Sequence, residues 1–131
     1  MDKAESREKA FGSYDPSALH YHISRVHQEL GEFSGAVQAM EMSDRLCYAV
    51  YRRSRVKERA VLGEFQFRVG HLEAACSTWN SALDEYPLVH SGRVDDRMRI
   101  MIRLIRPHLK NQTARELYER ARTMAPRLVP T

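Results

Sequence analysis

The sequence predicts an all-α fold, an array of about three antiparallel helical hairpins made from six helices. Three observations lead there. Apolar residues recur at three- and four-residue intervals along most of the chain, with no alternating strand pattern. Gly or Pro closes most of these runs. A block that begins at Gly31 returns at Gly70, which marks an internal repeat.

Taken in order, residues 1–14 are polar and charged up to Phe11 and read as a polar segment or short helix. The helical domain is expected over 15–126, with 127–131 as a tail. Asp15-Pro16 is a helix start, Asp as the cap and Pro at the first helical position. Leu19, Ile23, Val26 and Leu30 then follow at helical spacing, and Gly31 ends the run as a left-handed cap. A second run starts at Ser34 and carries Ala36, Val37, Met40, Leu46 and Cys47. The arginine-rich stretch from Tyr48 to Arg59 is expected to hold the turn into the third helix. That helix carries Val56, Ala60, Leu62, Gly63, Phe65, Phe67 and Val69, and Gly70 closes it. The fourth runs from Glu73 to Tyr86 and Pro87 stops it; the fifth covers Val94 to Ile105 before Pro107; the sixth covers Thr113 to Met124 before Pro126.

The repeat has a packing logic. Gly31-Glu32-Phe33-Ser34-Gly35-Ala36-Val37 superposes on Gly70-His71-Leu72-Glu73-Ala74-Ala75-Cys76. A large residue stands four after each alanine, Met40 and Trp79, and a small one three later, Ser43 and Ala82. A third copy without the glycine reads Ala114, Tyr118, Ala121, Pro126. Helices approach closely only where small side chains meet at the crossing, and one hairpin cannot bury its apolar face alone, so copies stack.

These residues resemble the tetratricopeptide repeat. The second unit matches best, with Leu62-Gly63 followed by Gly70, Leu72, Ala75, Trp79, Ala82, Leu83 and Pro87. The first unit has Ser24 where the family prefers Gly, and the repeat runs 39 residues (31 to 70) where the family has about 34. The stretch CSTWNSALDEYP with SGRVDDRMRIMIRLIRPHLKNQTARELYERAR also resembles the C-terminal region of actinobacterial helix-turn-helix transcriptional regulators. That second resemblance implies a sensory or dimerising module, although no segment of this chain reads as the helix-turn-helix.

The tetratricopeptide resemblance implies a concave groove lined by the first helix of each hairpin. Its positions would be Tyr21, Arg25 and Gln28, then Ala60, Glu64 and Phe67, then Asp96, Arg99, Arg103 and Arg106. The family's carboxylate clamp does not carry over, because its Lys and Asn positions hold other residues here. Arg99, Arg103 and Arg106 share one helical face. Three guanidinium groups on one stripe repel unless answered, either by Asp95, Asp96 or a neighbouring helix, or by a carboxylate-bearing ligand. An acidic peptide or protein partner is therefore expected, a homodimer is possible, and a small hydrophobic ligand between helices is a further alternative.

Other chemistry finds little footing. The six glycines form no phosphate-cradling motif, no nucleophile stands with a base, and an enzyme is not expected. The six histidines include no i, i+4 pair or HExxH, so no metal or cofactor is implied. A net charge of +4 and the run Arg52 to Arg59, without interleaved aromatics, do not make a nucleic-acid binder. Cys47 and Cys76 are expected as buried free thiols. No signal segment or apolar run of roughly 20 residues occurs, so a cytoplasmic protein without membrane contact is expected.

Overall fold

The computed structural model describes residues 16–46 and 52–130. The polar segment 1–14, the Asp15 cap, Cys47 and the stretch through Tyr51 lie outside these residues. Among them are six α-helices and no strand: α1 (Pro16–Glu29), α2 (Phe33–Leu46), α3 (Arg52–Arg68), α4 (Leu72–Glu85), α5 (Gly92–Ile105) and α6 (Gln112–Met124). Single 3-10 turns follow α4, α5 and α6 at Tyr86–Leu88, Arg106–His108 and Pro126–Leu128. The all-α array of helical hairpins is the observed fold. The arginine-rich run departs from expectation: Arg52 to Arg59 is helical throughout and forms the start of α3.

The first two hairpin turns are the same device. Gly31 and Gly70 take φ of 75° and 88°, a left-handed conformation that side chains resist. Each is bracketed by the same pair of backbone bonds, Gly31 N to Gln28 O with Glu32 N to His27 O, and Gly70 N to Phe67 O with His71 N to Gln66 O. These two hydrogen bonds satisfy carbonyls that the helix end would leave orphaned. The third turn has Leu109 at the corresponding position and works differently. Its 3-10 turn ends near Asn111, whose side chain caps α6 by accepting from Ala114 N at 3.1 Å. Ser91 caps α5 through Val94 N.

The packing follows the repeat more closely than its sequence markers suggest. Trp79 is fully buried, and its indole N–H donates to the Ala60 carbonyl on α3 at 3.0 Å. Gly63 makes this possible: a Cβ there would stand 2.4 Å from the indole nitrogen. Thirty-nine residues earlier, the same crossing is Ser24 against Met40, with the Ser24 hydroxyl 3.7 Å from the Met40 sulfur. Thirty-nine residues later it is Ile102 against Tyr118. Ile102 keeps α5 and α6 apart at this point, and the third pair is the least intimate of the three. Its helices instead lie on the second hairpin, α5 against α3 and α6 against α4.

The buried apolar residues fall into two groups. The larger joins the second hairpin to the third around Trp79, Leu83, Met98, Met101, Ile102, Ile105 and Leu117. The smaller joins the first hairpin to the second through Ala36, Met40, Val61, Leu62 and Phe65. Helix α3 serves both and is covered on nearly all sides. Leu128 is also buried, so the segment after Pro126 is a packed strap over the end of the array, where a tail is expected.

Helix α1 contradicts its own sequence pattern. An apolar stripe on an amphipathic helix ordinarily marks the core side. Here Leu19, Ile23, Val26 and Leu30 are exposed by 36–67%, and the buried residues are Ser17 and Ser24. Reciprocal hydroxyl-to-carbonyl bonds at 2.8 Å join Ser17 and Ser43, and the Ser43 hydroxyl lies 3.2 Å from Glu58 Oε2. Polar bonds thus take the buried side of α1 where an apolar stripe is expected.

Gly63→Ala should lower unfolding free energy by about 1–3 kcal/mol, the usual range for overpacking a tight contact. Gly92→Ala, where an added Cβ meets nothing within 4 Å, serves as the control and should be near neutral. Urea denaturation of both variants checks this; equal midpoints would remove the crossing from its central place.

Candidate functional site

A hollow of about 430 Å³ opens among the first helices of the three pairs. Its lining is Tyr21 from α1, Lys57 from α3, and Arg93, Asp96, Arg97 and Ile100 from α5. The Lys57 ammonium sits 5.0 Å from the centre of the Tyr21 ring, a cation–π contact that ties α1 to α3. Glu64, only 5% exposed, is answered by Arg68 at 3.2 Å and Arg97 at 3.9 Å. Arg25 and Gln28 each bury one side-chain atom, Nη1 and Oε1, without a hydrogen-bond partner.

Phe67 belongs to the packing. Its ring lies 6.1 Å from Trp79 and 5.2 Å from His108, an edge-on contact in the second case. Ala60 is buried beneath Trp79. Thus Tyr21 and Asp96 reach the hollow, Glu64 is held in ion pairs, and Phe67 joins α3 to the turn after α5.

The arginine stripe lies elsewhere. Arg99, Arg103 and Arg106 line a second hollow of about 300 Å³, floored by Ile102, Leu128 and Pro130. The physical reason is that α5 is the last first-helix among the described residues. Thirty-nine residues before Arg99 stands Ala60, buried inside the array, and thirty-nine before that Tyr21, packed toward α3. On α5 this side has no further hairpin against it and stays open. Arg99 binds Asp96 at 3.0 Å, so it links the two hollows. Arg103 and Arg106 are exposed, and neither has a carboxylate partner among the described residues.

Sequence reasoning did not find Lys57, Arg93, Arg97 and Ile100 in the first hollow, or Leu128 and Pro130 in the second. Arg93, Arg97 and Ile100 share the i, i+4, i+7 spacing of the arginine stripe. Spacing alone does not say which of two flanks faces a neighbour.

A latch fixes the floor of the second hollow. The Tyr86 hydroxyl donates to Asp95 Oδ1, and Arg127 reaches Asp95 Oδ2 at 3.0 Å. These bonds draw the strap at Pro126–Leu128 onto α5. Burial raises the Asp95 carboxyl, but hydrogen bonds from Tyr86 and Arg127 and the charges of Arg127 and Arg99 outweigh it and leave the group below its ordinary value. Burial, then the Asp95 carboxylate, pushes the Tyr86 phenol up to about 12. Elsewhere, burial and then Glu73 push the Cys76 thiol up to about 11, so at neutral pH it is protonated and unreactive. Among the described residues no cluster of His, Cys, Asp or Glu could hold a metal ion. None of the helices there is long and apolar enough to cross a membrane.

Comparison with protein-family models, curated proteins and solved structures matches nothing.

Because the folded Asp95 has a lowered pKa, its contribution is fully present above the ordinary carboxylate value and is lost as pH falls through the lowered one. Asp95→Asn should therefore cost roughly 1–2 kcal/mol at neutral pH, for one charge-assisted hydrogen bond and a half-exposed ion pair. The gap to the parent should close in acid. Urea titrations at neutral and acid pH measure it, and a gap independent of pH would rule the latch out.

Proposed function

We propose that this chain is a non-catalytic protein-interaction scaffold of tetratricopeptide type that takes an acidic, partly apolar segment of a partner protein. The observation that carries the reading is the second hollow. An apolar floor of Ile102, Leu128 and Pro130 lies beneath three guanidinium groups, and two of these have no carboxylate partner among the described residues. An amphipathic acidic segment answers both features at once, burying apolar side chains while its carboxylates meet Arg103 and Arg106 bidentately. The first hollow is less suited: it carries a carboxylate of its own, Asp96, and its Arg97 lies 3.9 Å from Glu64. A cytoplasmic location accords with this reading.

A second reading, the sensory or dimerising domain of a transcriptional regulator, is favoured by one specific observation, the open apolar stripe on α1.

The test uses a fluorescent probe peptide of alternating Glu and Leu residues. Arg103→Glu with Arg106→Glu should weaken its binding by about 10- to 100-fold, with affinity falling as salt rises. Arg93→Glu, in the other hollow, should leave affinity within about twofold. Fluorescence anisotropy measures both, and a double variant that binds like the parent would remove the arginine-rimmed hollow from consideration.

A further inference from the structure

We propose that α1 pairs antiparallel with α1 of a second copy of this chain, through Leu19, Ile23, Val26 and Leu30. Of the six exposed large hydrophobics among the described residues, four stand on this one face; the others are Leu46 and Leu88. Scattered single residues of this kind need no explanation, but a contiguous stripe does.

The repeat register shows what kind of object the stripe accepts. Thirty-nine residues after Ile23 and Val26 stand Leu62 and Phe65 on α3. Both are buried against Ala36 and Met40 of α2, a helix of the preceding hairpin. The same face of the first helix is therefore covered by a helix of the preceding hairpin in the second unit and, among the described residues, exposed in the first. Helices α2 and α3 pack together across a short connection, so the covering helix runs antiparallel to the one it covers.

The occupant is identified by self-complementarity. The intervals 19 to 23, 23 to 26 and 26 to 30 are four, three and four residues, the spacing of a coiled-coil seam. Turned antiparallel on itself, this seam is its own match: Leu19 meets Leu30 of the second copy, and Ile23 meets Val26. A two-fold axis between them makes the contact isologous, as closed dimers require. The flanks agree. On one side His22 comes opposite Glu29 of the second copy, an imidazole that can donate to a carboxylate, and the axis gives this pair twice. On the other side His20 meets His27, which already has Glu32 at 3.3 Å in its own chain. In the parallel arrangement His22 would face His27, and Glu29 would have no basic counterpart. Helix α1 has only 14 residues, so the buried area falls at the small end for specific dimers and the affinity is on the order of micromolar.

Sedimentation equilibrium of the full chain, from about 1 µM to about 1 mM, reads the association. The apparent mass should rise from 15.2 kDa toward twice that value. Val26→Glu, at a site 59% exposed, should hold the chain at monomer mass with unchanged helical circular dichroism. His22→Glu should weaken association by about tenfold, and adding Glu29→Lys should restore it, because only the antiparallel register brings these two positions together. A chain that stays monomeric at about 1 mM, or a dimer indifferent to Val26→Glu, would overturn the proposal. A dimer that Glu29→Lys does not restore would overturn the antiparallel register. None of these variants touches the arginine-rimmed hollow, so a failure here leaves the peptide-binding reading standing, and the reverse also holds.

Discussion

The structure turns on how much room one residue leaves where two helices cross. At the centre that residue is Gly63, and the space it leaves admits the whole indole of Trp79 and lets its N–H reach a carbonyl of the opposite helix. The bond matters because a buried indole without a partner would forfeit a hydrogen bond and the desolvation of its nitrogen together. Ser24 offers less room and faces the slimmer, more adaptable Met40. Ile102 offers none, and α5 and α6 settle against the second hairpin more than against one another. One position, met three times, thus grades the array from a tight hairpin to an open pair.

The grading decides where chemistry can occur. Because α5 and α6 are joined loosely at their own crossing, the end of the array needs another closure. The strap after Pro126 provides it, pinned by Tyr86, Asp95 and Arg127. Where α5 would otherwise receive a further hairpin, it carries arginines. Helix α1 does the opposite, with apolar residues on its exposed face and serines buried against α2.

The helices were legible in the sequence because their signals are local. Gly31 and Gly70 mark left-handed caps wherever they occur, and Pro at the start or end of a run restricts the backbone directly. The repeat was legible because small and large residues alternate at the crossings, a pattern that packing itself writes. Arg52 to Arg59 is helical where a turn is expected for a physical reason: arginine is a good helix former, and charge density alone does not make a turn. The stripe on α1 misled in another way. Helical spacing tells which residues share a face, not whether that face meets a neighbour within the chain. The same gap separated Arg99, Arg103 and Arg106 from the first hollow, and no property of the three residues themselves could have closed it.

The crossing at Gly63 has an optical consequence. Trp79 is the only tryptophan in the sequence, and it lies fully buried between α3 and α4 with its nitrogen hydrogen-bonded. Its emission is therefore a natural gauge of the crossing of α3 and α4 and of the core around it. Melting of the centre would thus register in a chromophore the chain already carries, without a label being attached.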